Sequence, residues 1–337
     1  MSKRFLAAAC AAATALALSA CSSAPSSEGN ASKDGTLTVM ASFYPLQYLA
    51  EKIGGEHVTV TSLTPAGAEP HDLELSPKTV DALASADAVV YLAGFQAAVD
   101  EAIEQQAPTT VIDVSPAVEL VEANSSANHP SEDEDADEAQ SGESTTEEHA
   151  DHDHEGHDHE GHHHDMSADP HFWLDPVRMA SAATLVGDKL AEADPANADT
   201  YKANAQALNE ELSALGDDLV AKTATCQIKT FVTAHTAFGY LADRTGLTQV
   251  GISGLDPDSS PSPARLAEIG QIAKEQGVTT IFTEALIDPK VAQTLADDLG
   301  ISTAVLDPIE SQTDSSKDYA AVMKDNINAL ATANNCQ

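Results

Sequence analysis

Histidine and carboxylate side chains crowd one short stretch of this chain. From His149 to Asp165 it reads His-Ala-Asp-His-Asp-His-Glu-Gly-His-Asp-His-Glu-Gly-His-His-His-Asp, and the unit His-Asp-His-Glu-Gly occurs at 152–156 and again at 157–161. Neutral imidazole is a borderline-soft donor suited to Zn2+, Cu2+ and Ni2+, and interleaved carboxylates concentrate cations around it. The tract therefore reads as a metal-binding repeat, with His149, His152, His154, His157, His159, His162, His163 and His164 as low-affinity ligands.

The chain has 13 histidines, and only His57, His71, His171 and His235 lie outside the acidic segment 119–168. His71 stands in Glu69-Pro70-His71-Asp72. His171 stands in Asp169-Pro170-His171-Phe172-Trp173-Leu174-Asp175-Pro176, and His235 in Thr233-Ala234-His235-Thr236-Ala237-Phe238-Gly239-Tyr240. Taken singly, such a histidine is ordinarily a hydrogen-bonded structural residue. All three, however, fall at strand-to-helix junctions, the carboxyl edge where open α/β folds bind ligands. His57, on a Gly-Gly-Glu-His turn, reads as surface.

The elements that must position them follow from the apolar pattern. Short β-rich runs at Leu37–Ser42, Val58–Leu63, Ala88–Leu92 and Thr110–Asp113 alternate with helical stretches near 45–53, 77–84 and 95–105. The same rhythm returns at Thr230–Thr233, Gln249–Ile252, Thr279–Phe282 and Thr303–Leu306. This βαβα alternation predicts two α/β lobes with parallel sheets. Between them, Pro176 to about Lys222 has apolar residues at helical spacing, restarted at Pro195; lobes joined by helix should hinge little. Residues 119–168 hold almost no large apolar side chains and read as a disordered insertion in the first lobe. As a flexible coil of roughly 40 residues, the insertion has an r.m.s. span of about 35 Å, enough to reach a site between the lobes.

Acidic residues outnumber Lys and Arg 54 to 16, for a formal net charge of −38. A surface so negative argues against nucleic acid, whose phosphates need basic side chains, and suits cations. At the N-terminus Lys3-Arg4 precedes an apolar stretch, Phe5 to Ala17, too short to span a bilayer. Leu18-Ser19-Ala20-Cys21 then looks like a bacterial lipobox, with Cys21 as lipid acceptor and a Ser/Gly/Asn-containing tether after it. Removing Cys10 with the leader leaves Cys226 and Cys336, a candidate disulfide in an oxidising compartment, the alternative being two free thiols. No nucleophile elbow or phosphate loop occurs, so binding is expected and not catalysis.

The three histidine segments, the lobe–helix–lobe order and the His-rich insertion before the second segment together resemble the zinc/manganese solute-binding lipoproteins of ABC importers (cluster A-I), in particular the zinc branch with a His-rich loop. The resemblance implies two (β/α)4 lobes joined by a long rigid helix and clamping one metal ion. It divides the chain into a signal peptide (1–20), lipidated tether (21–35), N-terminal lobe (36–175), linking helical segment (176–224) and C-terminal lobe (225–337). By matched position it assigns His71, His171 and His235 as ligands. A carboxylate after the last strand completes the set, Glu310 being favoured and Asp307 the alternative; other members use water or an acid just before the first histidine. Glu284 is expected to support the site or the lobe interface. Manganese-type members carry Glu where His235 stands, so Zn2+ is expected over Mn2+.

The implied protein is a monomeric receptor, lipid-anchored on the extracytoplasmic face of the cell membrane, either periplasmic or at the cell surface. It would deliver zinc to an ABC permease and its ATPase. The alternatives are a manganese-preferring receptor of the same family, or a membrane-tethered metal buffer or adhesin.

Overall fold

The computed structural model describes residues 36–122 and 168–337. Within them β1 (Leu37–Ala41), β2 (Val58–Ser62), β3 (Ala88–Tyr91) and β4 (Val111–Asp113) form a parallel sheet in the order β2-β1-β3-β4. β5 (Thr230–Thr233), β6 (Thr248–Gly251), β7 (Thr280–Thr283) and β8 (Ser302–Val305) repeat that order as β6-β5-β7-β8, again all parallel. Successive side chains face opposite sides of the pleat. Val39 and Ala41 thus enter one apolar cluster and Met40 another; Phe231 and Phe282 likewise point away from Val232 and Ile281.

The helices are α1 (Tyr44–Gly54), α2 (Pro77–Leu83), α3 (Ala97–Gln106), α4 (Ser115–Val118), α5 (Pro176–Ala193), α6 (Ala198–Thr223), α7 (Gly239–Thr245), α8 (Pro263–Glu275), α9 (Lys290–Leu299) and α10 (Tyr319–Ala333). Local chemistry marks several starts. Ser76, Asp175, Ser262 and Asp318 accept backbone N–H bonds from Thr79, Val177, Arg265 and Ala321, and Pro77, Pro176 and Pro263 occupy first-turn positions that need no donor.

The linking segment, where the resemblance implied one long rigid helix, is a helical hairpin. Pro195 interrupts the ladder, and α6 folds back along α5. The pairing is close and antiparallel: a Cβ on Gly187 of α5 would stand 2.3 Å from the Cβ of Ala205, and one on Gly216 of α6 would stand 2.7 Å from Val177 Cγ2. Asn209 Nδ2 donates to Ala180 O at 2.9 Å across the same seam. At 1.5 Å per residue the 26-residue α6 is about 39 Å long and packs on α1 of the first lobe and on α7 and α10 of the second.

One apolar cluster runs through both lobes. It joins Leu46, Leu49 and Val90 to Leu212 and Leu219 of α6, and on to Phe231, Tyr240, Phe282 and Ile327. Lobes that share a hydrophobic core this way move little against each other. Cys226 and Cys336 are joined as a disulfide, tying the chain just beyond α6 to the residues after α10. Among the described residues no helix is long and apolar enough to cross a membrane.

Candidate metal centre

Because both sheets are parallel, their carboxyl edges carry loops from several strands, and these edges face each other across the lobes. His171 follows the ends of the acidic insertion. There Glu122 and Ala168 pair antiparallel, and Asp169 N–H donates to Val121 O at 2.9 Å. The Asp169 carboxylate accepts from His171 N–H at 3.0 Å and lies 2.8 Å from His171 Nδ1, turning Nε2 inward. Tyr240 of the second lobe donates its hydroxyl to Asp169 O at 2.7 Å and accepts Val121 N–H at 2.9 Å. After a single 3-10 turn, Phe172–Leu174, Asp175 caps α5 and takes Arg244 of α7 in a two-point ion pair at 2.9 and 2.7 Å.

His235 extends directly from β5. Glu284, at the end of β7, accepts its backbone N–H at 3.1 Å and lies 2.8 Å from Nδ1 through both carboxylate oxygens, so this ring too presents Nε2. His71 sits on the loop from β2 to α2. The Glu69 carboxylate accepts its backbone N–H, and Gln96 Nε2 donates to Pro70 O at 3.1 Å. Its ring stands edge-on to Phe95, and its Nδ1 is buried with no hydrogen-bond partner. Glu310 comes from the turn after β8.

These four side chains converge. Glu310 Oε1 lies 3.4 Å from His71 Nε2, 3.2 Å from His171 Nε2 and 3.3 Å from His235 Nε2, while the last two nitrogens are 3.4 Å apart. The group's ligand atoms all fall within 4.8 Å of one another. A tetrahedral zinc site with bonds of about 2.0–2.1 Å has ligand–ligand edges of about 3.3–3.4 Å. Four of the six distances between the donor atoms already have that size.

His171 and His235 are 0 % exposed and Glu310 2 %, with Trp173, Phe95 and Phe43 stacked beneath them. Burial pushes the Glu310 carboxyl up, but hydrogen bonds from His171, His235 and His71 outweigh it and hold the group well below the ordinary carboxylate range. Burial pushes His235 down, yet Glu284 and Glu310 raise it to about 10. His171 is raised in the same way, burial being overcome by the hydrogen bond to Asp169 and then by Glu310.

The pattern described as ZnuA, zinc-uptake complex component A, periplasmic, matches residues 39–333. The chain belongs to this family. It is 33% identical over 323 residues to the high-affinity zinc uptake system protein ZnuA of Bacillus subtilis, covering 94% of this chain and 93% of that one. It is also 33% identical over 312 residues to the zinc-binding protein AdcA of Streptococcus pyogenes, covering 88% of this chain but only 56% of that longer relative. Among solved structures, the laminin-binding protein Lmb of Streptococcus agalactiae, described as bifunctional with adhesin and metal-transporting activity, superposes with a TM-score of 0.72 at 29% identity, over 88% of this chain and 99% of that one.

For this ZnuA-family chain, the structure brings together His71, His171, His235 and Glu310. It does not bring in Asp307, the alternative fourth donor, which is turned back to accept Ile309 N–H at 2.8 Å. His57 lies apart, its ring against Tyr201. The tract from His149 to His164 and the lipid acceptor Cys21 lie outside the described residues. Asp169 and Tyr240 were not read from the sequence as site residues. Asp169 had a signal, an acid two residues before the histidine, the spacing at which a carboxylate reaches both the ring and the backbone N–H. Tyr240 stands in the segment after His235, but nothing local says that its hydroxyl reaches Asp169 of the first lobe.

Proposed function

We propose that this chain is an extracytoplasmic zinc receptor that captures Zn2+ between its lobes and hands it to an ABC permease driven by its ATPase. His71, His171, His235 and Glu310 are the ligands. The observation that carries this reading is the convergence of three imidazole nitrogens and one carboxylate oxygen within 4.8 Å of one another, a donor set suited to zinc. Manganese, a harder ion, prefers more oxygen. With four protein donors the role is capture and delivery, with no reaction assigned. The relatives named for zinc binding and zinc uptake support the same cargo.

The lobes correspond to residues 36–175 and 225–337, with 176–224 linking them. A lipid on Cys21 anchors the monomer to the membrane, and the tract from His149 to His164 is a weaker collector that raises zinc near the cleft. Calorimetric titration of the full chain tests these assignments. One tight site lost in His171→Ala, with several weak sites lost on deleting 149–164, supports them. Tight binding that survives His71→Ala and His235→Ala together sinks the site. A second reading, a surface adhesin of the same fold, is favoured by the likeness to the laminin-binding protein. Immobilised laminin that retains the zinc-loaded chain would support it.

A further inference from the structure

Glu310 rides on a turn held from behind by α10. We propose that Asn326 and Asp307 are positioning residues that fix this turn and so set the place of the Glu310 carboxylate; the inference rests on the reading of Glu310 as a zinc ligand. The residue before it, Ile309, has φ +57° and is 1 % exposed. A β-branched residue in the left-handed region persists only where its surroundings over-determine the backbone.

Here they do. Asn326 is 3 % exposed, on the face of α10 that otherwise buries Met323, Ile327 and Leu330. Its amide is spent wholly on one residue: Oδ1 accepts Asp307 N–H at 2.9 Å and Nδ2 donates to Asp307 O at 2.6 Å. Asp307 Oδ1 in turn accepts Ile309 N–H at 2.8 Å. The front of the turn meets the first lobe, where Trp173 Nε1 donates to Pro308 O and Gly67 N–H to Ser311 Oγ, each at 2.7 Å. A polar amide at an apolar helix position thus grips the strained backbone that carries the ligand. Ligand geometry tolerates only about 0.5 Å of drift before function suffers.

A double-mutant cycle on the full chain tests this, with zinc affinity measured by competition against a chromogenic chelator and folding checked by circular dichroism. Asn326→Leu keeps the apolar face of α10 and removes the clamp. It is expected to weaken zinc binding about 10- to 100-fold in the native background, and by no more than about 2-fold when Glu310 is already Gln. Asp307→Ala is expected to lose about 10-fold, and Asp307→Asn, which keeps the acceptor oxygen, to recover it; this pair carries the test if Asn326→Leu does not fold. Equal losses in both Glu310 backgrounds, no loss in either, or an Asp307→Asn chain as weak as Asp307→Ala overturns the inference. A Glu310→Gln chain that binds zinc as tightly as the native one overturns the ligand reading itself, and the inference with it.

Discussion

Zinc must displace protons to enter this cluster, and the hydrogen bonds give their number. Glu310 is held ionised and so only accepts; the Nε2 atoms of His171 and His235, 3.2 and 3.3 Å from its Oε1, therefore carry hydrogen. Their Nδ1 atoms face Asp169 and Glu284 at 2.8 Å, and these carboxylates together with Glu310 raise both rings, favouring the imidazolium form. His71 Nδ1 is buried with no hydrogen-bond partner. Zinc takes the Nε2 lone pairs while both Nδ1–H groups stay with their carboxylates, so two protons leave. While both rings remain imidazolium, apparent affinity should then rise about 100-fold per pH unit, or about 2.7 kcal/mol per unit for two protons at about 1.36 kcal/mol each. Calorimetric titration near neutral pH in buffers of different ionisation enthalpy reads the count directly as the slope of observed against buffer enthalpy. The expected slope is about 2, and a value below about 0.5 would refute the proton inventory.

The same rings link pH to folding in the metal-free chain. A histidine whose folded pKa is raised stabilises the fold fully below its unfolded value, 6.5, and loses that contribution as pH climbs through the folded value, about 10 for His235. Thermal unfolding without zinc should therefore shift to lower temperature between neutral pH and pH 10, and saturating zinc should flatten that dependence. Glu284→Gln removes the charge behind His235 and should weaken zinc binding about 10- to 100-fold by chelator competition, with the fold retained. Gly187→Ala drives a methyl to 2.3 Å from Ala205 Cβ, between two helix backbones that cannot yield; after about 1 kcal/mol of gained helix propensity it should still destabilise by about 1–3 kcal/mol in denaturant unfolding. Adding Ala205→Gly should restore most of that loss, and failure to do so would locate the strain elsewhere.

The strands were legible because Val, Ile, Thr and Phe runs such as Thr230–Thr233 pack on both faces of a parallel sheet and carry their own pattern. Helix starts were legible at Ser76-Pro77 and Asp175-Pro176, where cap and proline coincide. α4 was not, since four residues hold no periodicity. Pro195 announced a break between helices, but nothing local says that α6 returns along α5; that follows from Gly187 meeting Ala205, a contact between distant residues. The three histidines stood out by their place at strand ends. The choice between Asp307 and Glu310 did not, because both lie in one turn, and the left-handed Ile309 between them decides which carboxylate faces the imidazoles. Asn326 reads in sequence as an ordinary polar residue on a helix, and only the packing of α10 shows that it is buried.

The root of the acidic segment has a consequence for how such a protein varies. Val121 and Asp169 are hydrogen-bonded neighbours, and Glu122 pairs with Ala168, so the chain leaves and rejoins the fold at one spot. The approach to His171 is thereby held by the two ends themselves. A change in the number of His-Asp-His-Glu-Gly copies between those ends is expected to leave the four converging side chains where they are.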